Sequence, residues 1–325
     1  MGIARPAREE GSSKMSNVKP VPAKVSAKPQ PANIGIIGLD RMGQASGALL
    51  ISTGAHVIAY DRDPERTQML AREGATAATN NRDFGSCDLV LTSLPDDDAV
   101  RAVLLGDMGL ASILRPGCVH LATSTIGVPF CRELDAAHSK LGQHLLAMPV
   151  LGNPEMAARR ELFIILGGAE EVIGSCRPVI DRLGQHIFHA SDKPWIASAM
   201  KLAANMLTAA TLRSMGEAFA FLAKVGLPPD RAQEILTGSL FDGRVHKAYG
   251  QKIVDHRYTP PGMTIPLAMK DLRLLLAEAE RIEVPMPIAS LLHDRFVAAE
   301  AQGWAELDWS ALGRLAAFEA GLPED

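Results

Sequence analysis

Asn33-Ile-Gly-Ile-Ile-Gly-Leu-Asp-Arg-Met-Gly43 decides the fold. A short apolar run enters a glycine turn, and the residues beyond the turn read as the start of a helix. A second apolar run, His56-Val-Ile-Ala-Tyr60, follows and ends in Asp61-Arg62. This is the layout of a dinucleotide-binding β-α-β unit: a tight turn, a helix N-terminus for a pyrophosphate, and an acid at the second strand's end for ribose hydroxyls. The separation of Gly38 from Asp61 fits the roughly 20 residues that this arrangement needs. Gly38, Leu39, Asp40, Arg41, Met42 and Gly43 are therefore candidate cofactor contacts, together with Asp61 and Arg62. Asp40 departs from the pattern, because it stands where a middle glycine normally lets the backbone approach the pyrophosphate. A carboxylate there adds bulk and like charge, so weaker cofactor binding or a displaced pyrophosphate is expected.

From Asn33 onward, apolar strand-like runs alternate with helical stretches. Leu89-Val-Leu-Thr-Ser93 precedes Leu94-Pro95 and a helix beginning near Asp97, and Cys118-Val-His-Leu-Ala122 precedes Ser124-Thr125. His144-Leu-Leu-Ala147 leads into Met148-Pro-Val-Leu-Gly-Asn153, and Leu162-Phe-Ile-Ile-Leu166 ends at a glycine pair. Such alternation implies a mostly parallel, doubly wound Rossmann-type sheet. Ligands of these sheets lie at the carboxyl ends of the strands. Leu94, Pro95, Ser124, Thr125 and Asn153 all follow strands and so point to one crevice. After about residue 192 the strands stop, and helices are expected over 229–237, 267–281, 287–302 and 310–321. The expected organisation is a disordered tail (1–31), a dinucleotide-binding α/β domain (32–191) and an all-α domain for substrate and dimerisation (192–325). The tail is rich in Pro, Ala, Ser and Lys and lacks the apolar core of a secretory signal.

Between Asp192 and Val225 the chain is apolar around the whole helical circumference, which predicts a helix buried on every side. Lys201 and Asn205 interrupt it. A lysine there must be neutralised, paired or opened to a polar cavity, although a lysine that snorkels to the surface is the bland alternative. A spacing of four places the Asn205 amide on the same face, one turn along. The pair can aim an ammonium and an amide at one point in a cleft.

Composition excludes several classes. A net charge of −4 gives no electrostatic footprint for nucleic acid. No apolar run reads as a membrane span, the Lys201 helix being Ala-rich and broken by Lys201, Asn205 and Arg213. Four scattered cysteines show no metal or redox spacing and point to a reducing compartment, so a cytoplasmic location is expected. His186-Ile-Phe-His189 resembles a metal pair, but a strand would aim rings three apart at opposite faces, and no metal site is expected. Ser124 lacks the Gly-x-Ser-x-Gly elbow of a serine hydrolase. Asp97-Asp98 and Glu170-Glu171 read as helix starts that favour the macrodipole. Lys270-Asp271, taken alone, reads as an ordinary surface pair.

Taken together, these residues resemble the β-hydroxyacid dehydrogenase family, relatives of 6-phosphogluconate dehydrogenase and 3-hydroxyisobutyrate dehydrogenase, from about Ile34 to Leu322. The resemblance rests on the glycine turn ending in Met42-Gly43, Leu94-Pro95, Ser124-Thr125, Pro149-Val-Leu-Gly152 with Ala157 and Leu162, Lys201 with Asn205, and Lys270-Asp271-Leu272. It implies that Lys201 is the catalytic lysine and that Asn205 helps to position substrate. By the same resemblance, Ser124 and the backbone of Gly152 and Asn153 hold a substrate carboxylate. Leu94, Pro95 and Thr125 would flank the cofactor, and Lys270 would close over its nicotinamide end. Departures fall in the substrate region: Leu151 replaces a hydroxyl, Asn153 a glycine, and Met263 a frequent phenylalanine. Asp192, Trp195 and Ala197 stand where glycines commonly precede the lysine.

The expected function is NAD(P)-dependent interconversion of a small β-hydroxyacid and its aldehyde or keto acid by hydride transfer, with Lys201 as general acid/base. Asp61 favours NAD over NADP, since it can accept ribose hydroxyls and would repel a 2′-phosphate. Arg62 could stack on adenine in either case, or bind that phosphate. Two alternatives remain: a reductase of an imine or less polar carbonyl, motivated by Leu151, and a non-catalytic binding or assembly protein, motivated by Asp40. The apolar Lys201 helix also predicts a homodimer or a dimer of dimers, with the segment around Phe241, Asp242 and Tyr249 reaching toward the partner's site.

Overall fold

β1 (Asn33–Ile37) is buried on both faces, as its near-continuous apolar run requires of a central parallel strand. Ile34 and Ile36 enter one core and Ile37 the core on the opposite face. The computed structural model describes residues 33–323, so the expected disordered tail lies outside the described residues. α1 (Arg41–Ser52) leads to β2 (His56–Tyr60), and α2 (Pro64–Arg72) to β3 (Thr76–Ala77). β4 (Leu89–Thr92), α3 (Asp97–Leu105), β5 (Val119–Ala122), α4 (Val128–Lys140) and β6 (His144–Ala147) continue the winding.

β1 pairs in parallel with β2 on one side and β4 on the other, and β5 and β6 extend the sheet beyond β4. The chain order therefore reverses between β1 and β4, and a crevice opens outside their carboxyl ends. The far edge is mixed. β7 (Val150–Leu151), α5 (Pro154–Ala158) and β8 (Phe163–Gly167) follow β6, and β8 runs antiparallel to both β6 and β7. After α6 (Glu170–Ile180), β9 (His186–Ser191) closes the sheet in parallel with β8.

The helices after β9 are α7 (Pro194–Lys224), α8 (Pro229–Thr237), α9 (Arg244–Val254), α10 (Ile265–Arg281), α11 (Pro287–Ala301) and α12 (Ala311–Glu319). α9 was not among the expected helices; Gly250 interrupts its pattern. α7 belongs to both halves of the molecule. Near its start it touches the sheet, where a Cβ on Gly167 would lie 2.7 Å from Pro194 O. Further along it crosses α12 so closely that a Cβ on Gly216 would lie 2.4 Å from Gly313 Cα.

The all-round burial expected for α7 is not found within one chain. Met200, Leu207 and Phe221 are 46%, 60% and 67% exposed. The sheet and the other helices cover its remaining faces, where Leu202, Ala209, Leu212 and Phe219 are buried. No helix among the described residues is long and apolar enough to cross a membrane.

Candidate active site

The crevice at the β1–β4 switch is built by close backbone approach. Gly38 has φ +88°, and a Cβ there would sit 2.1 Å from Ser93 O. A Cβ on Gly43 would sit 2.0 Å from Gly38 O. Only glycine lets the ends of β1 and β4 and the start of α1 meet at these points, and such a turn fits a dinucleotide pyrophosphate at the helix N-terminus.

Asp40 is the N-cap of α1: its Oδ1 accepts from Gly43 N at 2.9 Å and from Ser93 Oγ at 3.1 Å. Asp61 ends β2 where expected, but its carboxylate also supports the turn. Its Oδ2 accepts from Leu39 N at 2.7 Å and its Oδ1 from Asp63 N at 2.8 Å. Arg62 is exposed beside it. The Arg41 guanidinium points across the crevice mouth, donating to Pro261 O at 3.0 Å and pairing with Glu155.

The cleft wall holds Asp40, Met42, Leu94, Pro95, Ser124, Thr125, Gly152, Lys201 and Lys270 from among the candidates. Gly38, Leu39, Gly43 and Asp61 stand behind that wall as its scaffold. Ser124 is buried, and its Oγ accepts from Leu94 N at 2.8 Å, which ties the loop after β5 to the loop after β4. Gly152 has φ +145°, a backbone conformation that side-chain-bearing residues rarely adopt, and a Cβ there would also press on Leu162 Cδ2 at 2.6 Å. Asn153 caps α5, its side chain accepting from Met156 N at 2.8 Å.

Lys201 reaches the cleft from α7 and donates Nζ to Val150 O at 2.8 Å, with no carboxylate in ion-pair range among the described residues. Burial lowers its pKa from the ordinary lysine value; the more distant Asp271 carboxylate opposes that shift and the Lys270 ammonium adds to it. Asn205 lies one turn along but does not line the cleft. It is buried and donates Nδ2 to Asp271 Oδ2 at 2.5 Å.

Asp271 is the residue that sequence reasoning missed as part of the site. It is 3% exposed, lines the cleft, and lies 2.9 Å from Lys270 Nζ. The surface-pair reading of Lys270-Asp271 is therefore wrong. Lys270 Nζ also donates to Pro95 O at 2.9 Å and Thr125 O at 2.7 Å, joining the helical domain to two strand-end loops. The available signal was periodicity: Asp271 sits within the buried face of α10 formed by Ile265, Ala268, Met269 and Leu272.

Asp97 and Asp98 stand in the first turn of α3 as expected, with Asp96 as its N-cap, and Asp97 also accepts from Gly127 N at 2.9 Å. Other expectations are corrected in detail. Leu151 packs into the apolar core and does not line the cleft. Tyr249 packs edge-on against Trp309 inside the helical domain rather than facing outward. His186 and His189 diverge as foreseen, one stacking on Phe163 and the other bonded to Gly168 O. Among the described residues no group of His, Cys, Asp and Glu is arranged to hold a metal.

Residues 33–191 match the NAD binding domain of 6-phosphogluconate dehydrogenase, and residues 196–316 match the NAD-binding domain of NADP-dependent 3-hydroxyisobutyrate dehydrogenase. The chain is 36% identical to the uncharacterized oxidoreductase YfjR of Bacillus subtilis, over 86% of this chain and 98% of that one. It is 28% identical to 2-(hydroxymethyl)glutarate dehydrogenase of Eubacterium barkeri, over 86% of this chain and 93% of the relative. The crystal structure of 3-hydroxyisobutyrate dehydrogenase from Salmonella typhimurium superposes with a TM-score of 0.79 at 28% identity, covering 87% of this chain and 99% of that one. With two domain matches in the family's order and a 36% identical relative aligned nearly end to end, the chain belongs to the β-hydroxyacid dehydrogenase family.

Proposed function

We propose that this oxidoreductase interconverts a small β-hydroxyacid and the corresponding aldehyde or keto acid, with Lys201 as the general acid/base. The observation that carries this reading is the Lys201 ammonium on the cleft wall, held by one neutral carbonyl and depressed in pKa by burial. A group so placed gives up its proton more readily than a solvated lysine, as a general acid/base requires. Two dehydrogenases named for hydroxyacids, of 2-(hydroxymethyl)glutarate and of 3-hydroxyisobutyrate, are each 28% identical to this chain over most of its length.

A bound nicotinamide supplies or accepts the hydride. In oxidation, neutral Lys201 Nζ takes the hydroxyl proton as the carbonyl forms. In reduction, the ammonium stabilises the growing negative charge on oxygen and then protonates it. Ser124 fixes the Leu94 backbone, and Lys270 fixes Pro95 and Thr125, so the strand-end loops keep their spacing. The Gly152 and Asn153 backbone and Ser124 would hold the substrate carboxylate, with Asn205 acting from behind through Asp271. NAD is preferred over NADP in this reading, because Asp61 and Asp63 put carboxylates at the end of β2 that would repel a 2′-phosphate there. Titrating both cofactors tests that preference, and tighter NADP binding would reverse it.

The exposed α7 stripe of Met200, Leu207 and Phe221 supports a homodimer or dimer of dimers, since an apolar stripe on a soluble helix calls for a covering surface. A fully active, monodisperse monomer at micromolar concentration in sedimentation would contradict it. The catalytic reading is tested by Lys201→Ala. Turnover should fall about 100-fold or more, NAD(H) affinity should change little, and the melting temperature should stay equal or rise. Activity retained in that variant would refute the role.

A further inference from the structure

The Asp40 carboxylate occupies the positive end of α1 from inside the protein. Its Oδ1 takes one of the first-turn N–H groups, that of Gly43, and the Ser93 hydroxyl as well. Helix N-termini attract anions through their free N–H groups and the macrodipole. Here the first anion on that end is the chain's own. Geometry does not demand it. Asp40 has φ −62° and ψ −176°, extended backbone open to any residue, whereas Gly38 nearby has φ +88°. No basic side chain among the described residues comes within ion-pair range of Asp40, because Arg41 is turned to Glu155 and Pro261 O. Asp61 takes the N–H of Leu39, the residue just before the cap. The Arg41 and Met42 N–H groups are left as first-turn donors, since no intrahelical acceptor exists for them.

We infer that Asp40 sets the affinity for the dinucleotide: it stabilises the empty turn as a cap and opposes, through its charge, a pyrophosphate arriving at the remaining donors. The inference rests on the dinucleotide reading of this cleft and deepens it. Stability of the empty protein and affinity for cofactor are then coupled with opposite sign at one residue. A merely adapted loop would show no such opposition.

The test compares wild type with Asp40→Asn and Asp40→Ala, by calorimetric titration with ADP-ribose and NADH and by melting of the ligand-free proteins. Asparagine caps as well as aspartate but carries no charge. Asp40→Asn should therefore keep its melting temperature and bind both ligands on the order of tenfold more tightly, from loss of a like charge at short range. Asp40→Ala should also bind more tightly, yet melt about 2–4 °C lower through loss of the cap. Should Asp40→Ala fail to fold, Asp40→Asn alone decides. Equal or weaker binding by Asp40→Asn, with wild type binding normally, would overturn the inference and leave the dinucleotide reading intact. No binding by any of the proteins would overturn both.

Discussion

Asp40 and Lys201 are the two charges that the sequence places against expectation on the cleft wall, and the protein treats them in opposite ways. The carboxylate is ligated by a backbone N–H and a hydroxyl and sits at the end of a helix dipole that favours its charge. The ammonium has one neutral carbonyl and an apolar helix around it. A charge whose hydrogen bonds and field are satisfied builds structure. A charge supported by a single neutral acceptor is closer to losing its proton, and proton transfer is what catalysis needs. Odd residues in a motif therefore separate by their ligands, not by their oddness.

Four substitutions or conditions sharpen or break that contrast, beginning with the largest effect. Lys201→Arg should lose turnover about as fully as Lys201→Ala, roughly 100-fold, because a guanidinium keeps its proton near neutral pH. Substantial rescue in steady-state assays would mean that Lys201 supplies charge alone.

Asp271→Asn should lower turnover on the order of tenfold, less than the roughly 100-fold or more that direct proton transfer contributes. It should also move the Lys201 limb of the pH–rate profile to lower pH, since the Asp271 carboxylate raises that pKa. A limb that stays in place would uncouple the two residues.

Asp40→Ala should destabilise the ligand-free protein by about 1 kcal/mol in denaturant melts. No change would show that the cap is not structural.

The smallest effect is predicted far from the cleft mouth, where buried polar groups are wholly satisfied. His138 Nδ1 bonds Gln143 Oε1 at 2.8 Å, and Gln143 Nε2 donates to Ala111 O and Leu114 O. His138 Nδ1 therefore carries the proton, His120 Nδ1 donates to His138 Nε2 at 3.0 Å, and Thr92 Oγ1 donates to His120 Nε2 at 2.9 Å. Both rings are neutral in this chain of bonds, and burial holds both pKa values below the ordinary histidine value of 6.5. The unfolded chain then binds more protons below that pH, so stability should fall as pH drops through about 6.5. His138→Gln should flatten the slope, as read from melts across pH 5–8.

Much of the α/β half was legible because strands of a parallel sheet announce themselves as apolar runs. β6 was placed at His144–Ala147 as observed, and β4 and β5 differ from expectation by one residue at an end. The mixed edge at β8 was not legible, since an apolar run carries no strand direction. α9 was hidden by Gly250 in its middle. In the site, spacing placed Lys201 on the cleft, yet it could not show that Asn205 spends its amide on Asp271. That contact joins residues 66 apart, and nothing local encodes it. Asp271 itself was obscured by its charged neighbour, although helix periodicity turns adjacent residues to different sides.

The central claim is that Lys201 transfers the proton with a pKa depressed by its surroundings, and the pH dependence of kcat/KM for hydroxyacid oxidation tests it most directly. Oxidation requires neutral Lys201, so the rate should rise with pH through its pKa. That rise should be centred clearly below the ordinary lysine value of 10.5 and be missing from the residual activity of Lys201→Ala. A rise centred at the ordinary value, or one that survives unchanged in Lys201→Ala, would contradict the account.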